Sequence, residues 1–81
     1  MKRIVWTEPA KTDVRRLDKS TAMRVLATLH RFAELGEGDV KALAGREELR
    51  LRVGDYRIFF VSSIPDTIEI RRVLHRREAY R

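Results

Sequence analysis

Two alternating runs that meet at Gly54-Asp55 constrain this chain more than any other stretch. They are Leu49-Arg50-Leu51-Arg52-Val53 and Tyr56-Arg57-Ile58-Phe59-Phe60-Val61. Alternation is the period of a β-strand, and glycine leading a two-residue link between such runs is the signal of a hairpin with a type II′ turn. The register follows from the turn. Val53 faces Tyr56, Arg52 faces Arg57, Leu51 faces Ile58, Arg50 faces Phe59 and Leu49 faces Phe60. Opposed residues share a face and successive residues alternate faces. One face therefore carries Leu49, Leu51, Val53, Tyr56, Ile58 and Phe60, and the other Glu48, Arg50, Arg52, Arg57, Phe59 and Val61.

The second face is electrostatically odd. Two arginines directly opposite each other repel, where an unlike pair contributes roughly 0.2–1 kcal/mol. Three guanidinium groups beside two apolar residues need an anion, either a nearby carboxylate such as Glu48 or an external polyanion. The alternative is a plain solvated basic surface.

Composition sharpens the choice. The chain has 81 residues, 18 Lys and Arg against 12 acids, and a formal charge of +6. That length gives one domain, residues 1–81, with a modest core. A small basic domain suits a nucleic acid or an acidic protein partner. Cysteine is absent, so neither disulfides nor a thiolate zinc site is expected. Met1-Lys2-Arg3-Ile4-Val5-Trp6 lacks the apolar run of a signal peptide, and no run approaches the roughly 20 residues of a membrane span. The expectation is a cytoplasmic protein without a membrane partner.

Arg3 to Thr7, with Ile4, Val5 and Trp6, reads as a first strand ended by Glu8-Pro9. Thr7 caps a first helix, with Glu8 and Pro9 in its opening turn, where an acid and a proline are both favoured. That helix extends to about Leu17, with Ala10, Val14 and Leu17 on its apolar face and Lys11, Asp13, Arg15 and Arg16 elsewhere. Asp18 caps a second helix, Lys19 to about Leu35, in which Ala22, Val25, Leu26, Leu29, Phe32 and Ala33 form an amphipathic stripe. Gly36 and Gly38 end it. So short a joint folds the two helices into an antiparallel αα-hairpin. Asp39 to Gly45 is expected to be a connecting segment with Leu43 turned inward. After the β-hairpin, Ser62 to Asp66 makes a turn, and Thr67 to Leu74 forms a last strand. In that strand Val73 is out of phase with Ile68 and Ile70. A bulge near Arg71-Arg72 would restore the phase. His75 to Arg81 is a polar tail long enough for one helical turn.

The order β-α-α-β-β-β makes an α+β domain. An antiparallel sheet carries the N-terminal αα-hairpin packed on one face, over Leu49, Leu51, Ile58 and Phe60, and leaves the arginine face open.

With the tail His75-Arg76-Arg77-Glu78-Ala79-Tyr80-Arg81 in view, the whole chain resembles the RelE-like ribonuclease toxins of the RelE/ParE superfamily. The resemblance also rests on Ile4-Val5-Trp6, Leu17-Asp18-Lys19, Lys41-Ala42-Leu43-Ala44-Gly45 and Arg50-Leu51-Arg52-Val53-Gly54-Asp55-Tyr56-Arg57. It implies a toxin that cleaves messenger RNA on the ribosome without metal or other cofactor. It also implies a tightly bound antitoxin, hence a hetero-oligomer. In this family the ribose 2′-hydroxyl attacks the adjacent phosphorus. Such a reaction needs fixed cations at the phosphorane oxygens, a base for the 2′-proton and an acid for the leaving 5′-oxygen. Guanidinium suits the first role because its planar fork matches phosphate oxygens.

Carried over residue by residue, the resemblance puts Arg57 at the scissile phosphate. Arg50 and Arg52 would bind phosphate and RNA backbone, with Arg50 also able to raise the reactivity of the nucleophile. Arg76 or Arg77 would be the basic group of the tail. Tyr80 matches a tyrosine that stacks on a base or shares in proton transfer. Arg81 and Lys41 are further candidate RNA contacts, and Lys11 and Arg15, with Arg16 and Lys19, form a second basic group that contacts ribosomal RNA or is simply solvated. Relatives that use lysine as base would need one near Glu48 or Arg50, and none stands there. Base duty then passes to His75, whose ordinary pKa of about 6.5 suits proton transfer, to Glu48, or to Tyr80. Glu48 has the competing role of ion-pair partner to Arg50 or Arg57, and His75 that of capping the strand end. Two other readings remain. One is a ParE-like poison of DNA gyrase, and the other a relative that binds RNA or antitoxin without cutting.

Overall fold

A computed structural model of the chain describes residues 1–79, so the expectations for Tyr80 and Arg81 lie outside the described residues. The elements are β1 (Arg3–Trp6), α1 (Glu8–Arg15), α2 (Lys19–Leu35), β2 (Asp39–Ala42), β3 (Leu49–Val53), β4 (Tyr56–Val61), β5 (Thr67–His75) and α3 (Arg76–Ala79). Among the described residues the strands form one sheet in the order β1-β5-β4-β3-β2.

The hairpin forms in the register that the sequence dictates, from Val53 opposite Tyr56 to Leu49 opposite Phe60. Gly54 takes φ +58°, the left-handed value that the first position of a type II′ turn requires. Leu51, Ile58 and Phe60 are fully buried against Val25, Leu29 and Ala33 of α2 and Ala10 of α1. Burying each of the larger of these side chains contributes roughly 1.5–3 kcal/mol. Phe32 meets Phe60 edge-on, with centroids 5.2 Å apart. The caps are the expected ones. The Thr7 hydroxyl accepts from the Ala10 N–H and the Asp18 carboxylate from the Thr21 N–H, while Gly36 closes α2 at φ +72°.

Three features differ from the sequence reading. Asp39–Ala42, expected as a connecting segment, is the edge strand β2, antiparallel to β3 with Val40 opposite Leu51. Its four residues are all exposed, so no alternation of apolar residues marks it. The sheet is antiparallel from β2 to β5, but β1 joins its other edge parallel to β5. Last, α1 stops at Arg15, and its Asp13 is buried rather than on the polar side.

The expected bulge is present. Phe59 opposes Arg72 and Phe60 opposes Ile70, so Arg71 is the extra residue. Because of it, Val73 falls into the same buried cluster as Ile68 and Ile70. Beyond the bulge Leu74 opposes Arg57 and His75 opposes Tyr56.

Candidate functional site

The register puts Lys41 of β2, Arg50 and Arg52 of β3, and Arg57 of β4 on the sheet face away from α1 and α2. Lys41 stands opposite Arg50, Asp39 opposite Arg52, and Arg52 opposite Arg57. Phe59 and Val61 share that face and are buried, 6% and 4% exposed, although no helix of the hairpin covers them. Arg50 stands opposite Phe59 and Glu69 opposite Val61. Long charged side chains can cover apolar neighbours with their stems while their heads reach water. Lys41 and Arg52 are exposed and Arg50 is half-buried.

Arg57 is held differently from its neighbours. It is only 8% exposed, and its Nη1 donates to the carbonyls of Gly54 and Tyr56, both at 2.9 Å. Its Nε is buried and has no hydrogen-bond partner among the described residues. The intervening carbonyl of the turn is also engaged, since Asp55 O accepts the Arg76 N–H at 2.7 Å. Three successive carbonyls thus fasten both the guanidinium of Arg57 and the first residue of α3. The Arg76 side chain adds a looser approach, Nε to Asp55 Oδ1 at 3.8 Å.

Other candidates are distributed around this centre. His75 is on the opposite side of the sheet from Arg57, beside Tyr56, whose ring it meets edge-on at 5.3 Å. Its Nδ1 accepts the Arg77 N–H at 3.2 Å, so it caps the end of β5. Glu48 pairs with Arg46 at 2.7 Å, not with Arg57. Arg77 is exposed on α3. Lys11 pairs with Glu8 at 3.2 Å, and Arg15 borders a groove with Trp6, Val14 and Leu26, both remote from the arginine face.

One pair escaped sequence reasoning. The buried Asp13 carboxylate receives Arg72 in a two-pronged ion pair, Nε to Oδ2 at 2.8 Å and Nη2 to Oδ1 at 3.1 Å, and the Val73 N–H at 2.9 Å. The carboxylate raises the Arg72 pKa above its usual value, through the hydrogen bond and the charge. The partners lie 59 residues apart, so no local pattern could announce them. The available hint was indirect, since a bulge at Arg71 leaves neighbouring backbone groups in need of partners.

With this geometry established, the relatives are informative. Residues 4–80 match the ParE toxin family of type II toxin–antitoxin systems, parDE. The fold is that of the toxins in solved antitoxin–toxin complexes. The RelB–RelE complex of Methanococcus jannaschii contains a chain 27% identical, with a TM-score of 0.77 over 94% of each chain. The RelE–RelB complex of Pyrococcus horikoshii gives 23% identity and a TM-score of 0.75, over 93% of this chain and 94% of that one. RelBE2 of Mycobacterium tuberculosis gives 23% and 0.61, over 91% and 96%. No curated protein matches the sequence. An αα-hairpin on a five-stranded sheet is thus a fold that this chain shares with RelE toxins. The chain belongs to the ParE toxin family, as a toxin of a type II toxin–antitoxin system. Among the described residues no helix is long and apolar enough to cross a membrane.

Proposed function

We propose that this toxin is an endoribonuclease that cuts messenger RNA on the ribosome, in the cytoplasm, and is neutralised by a cognate antitoxin protein. The observation that carries the reading is the state of Arg57. A buried donor without a partner costs about 1–3 kcal/mol and calls for an explanation such as an incoming ligand atom. Among the described residues Arg57 has such a donor at Nε, on a guanidinium already fixed through Nη1 and on the same sheet face as Lys41, Arg50 and Arg52. A cation fastened before substrate arrives stabilises charge that develops in the transition state without reorganising.

In the proposed reaction the 2′-oxygen bonds to phosphorus as the bond from phosphorus to the 5′-oxygen breaks. The 2′-proton goes to a base and the departing oxygen receives a proton. Arg57 binds the non-bridging oxygens, and Arg50 and Arg52 hold the flanking backbone with Lys41. Arg76 and Arg77 extend the basic surface along the tail, Arg81 is a further candidate RNA contact, and Lys11 and Arg15 contact ribosomal RNA. Tyr80 is assigned to stacking on a base or to a share in proton transfer. His75 contributes by holding the tail, through the Arg77 N–H. No step in this scheme calls on a metal.

The match to the ParE family favours a second reading, poisoning of DNA gyrase. Expression from a tightly controlled promoter with mapping of messenger RNA ends separates the two. Codon-phased cuts that vanish in Arg57→Ala support the nuclease. Growth arrest with intact messages and a DNA-damage response supports gyrase poisoning.

A further inference from the structure

β1 pairs with β5 only as far as Ile70, so among the described residues the second half of β5 has no strand along its outer edge. The start of α1 and the turn before it replace that strand. Thr7 N–H donates to Ile70 O at 3.1 Å and the Thr7 hydroxyl to the same carbonyl at 2.9 Å. Past the bulge at Arg71, the Asp13 carboxylate takes the Val73 N–H and the Arg72 guanidinium together. The carboxylate is buried, and its three bonds all go to the two residues that follow the bulge.

We infer that Asp13 is the positioning residue for the C-terminal limb of the site, because it pins the bulge at Arg71 and so decides which tail residue stands beside Arg57 and which beside Tyr56. A shift of one residue in a strand moves every side chain to the other face. Without the extra residue, Val73 in place of Leu74 would oppose Arg57, and Leu74 in place of His75 would oppose Tyr56. The Tyr56–His75 contact would be lost, and α3 would leave the turn carbonyl that holds Arg76. The inference rests on the nuclease reading only for its effect on catalysis. The register claim stands or falls independently.

The test uses the whole chain. Asp13→Ala removes both interactions, whereas Arg72→Ala removes the ion pair and leaves the carboxylate on the Val73 N–H. Amide exchange and cross-strand nuclear Overhauser contacts report the register. In Asp13→Ala, exchange at Val73, Arg76 and Arg77 rises at least about tenfold while Leu51 and Ile58 stay protected. The Tyr56–His75 ring contact disappears, and Arg72→Ala shows the same local change in weaker form. Cleavage of messenger RNA on ribosomes then falls about tenfold in kcat, with KM altered less than about twofold. Should Asp13→Ala fail to fold, Asp13→Asn keeps an acceptor for Val73 and shows the local loosening at Arg72 to Arg77. An unchanged Tyr56–His75 contact in the variants overturns the inference, as does exchange that rises equally throughout the sheet. If the wild-type protein cuts no RNA, the nuclease reading fails, and the register measurements still decide the role of Asp13.

Discussion

Tyr56 and His75 meet edge to face, their ring centroids 5.3 Å apart, on the side of the sheet that bears the helices. Arg57 follows Tyr56 in the chain and therefore occupies the opposite side. The tail histidine and the central arginine are neighbours in register and yet separated by the sheet. On the nuclease reading, His75 is then expected to fasten the tail, with proton transfer left to other groups. His75→Gln is expected to lower messenger RNA cleavage by no more than about tenfold, against a loss on the order of 100-fold or more for Arg57→Ala. Single-turnover rates of the two variants, measured side by side, check the difference.

The arginine face predicts a salt signature. Each phosphate neutralised by Lys or Arg on single-stranded nucleic acid adds about 0.7 to the slope of log affinity against log salt. Arg52 and Lys41 are exposed on that face. Arg52→Ala and Lys41→Ala should each weaken binding to ribosomes programmed with message and reduce the slope by about 0.7. Titrations at several salt concentrations give the slope directly.

The hairpin turn holds both Arg57 and Arg76, so its geometry matters to both. A Cβ at Gly54 would lie 2.9 Å from Arg24 Nη1, the far end of a flexible side chain that can move aside. The backbone cannot adjust so easily at φ +58°. Gly54→Ala is expected to cost about 1–2 kcal/mol in chemical denaturation, through left-handed strain in the folded state.

The cap of α2 gives a pH prediction. Hydrogen bonds from the Thr21 hydroxyl and amide hold the Asp18 carboxyl below its ordinary 3.8. A carboxyl with a depressed folded pKa stabilises the fold fully above its unfolded value, and that contribution is lost as pH falls through the folded value. Asp18→Ala should therefore melt at a lower temperature than wild type at about pH 6, with the gap narrowing toward about pH 2. Thermal unfolding at the two pH values checks the sign.

What the sequence made legible was local. The hairpin register, the capped helices and the bulge each follow from periodicity, turn chemistry or phase over a few residues, and the structure has them all. β2 was hidden because an exposed edge strand buries no face and so shows no alternation. The parallel pairing of β1 was hidden because nothing within Ile4-Val5-Trp6 distinguishes a parallel edge from an antiparallel one. At the site, the shared face of Arg50, Arg52 and Arg57 was readable from the turn alone. The separation of His75 was not, since it depends on the register of β5 beyond its bulge. Asp13 was missed for a related reason, because a carboxylate on a helix rich in bases looks solvated until a distant strand edge supplies its partners.

The central claim is that Arg57 stabilises the transition state of messenger RNA cleavage. It is tested most directly by single-turnover cleavage on programmed ribosomes, comparing wild type with Arg57→Ala after both are shown to fold. A fall of about 100-fold or more in the cleavage step, with ribosome affinity largely retained, is the expected result. Cleavage by Arg57→Ala at the wild-type rate would contradict it.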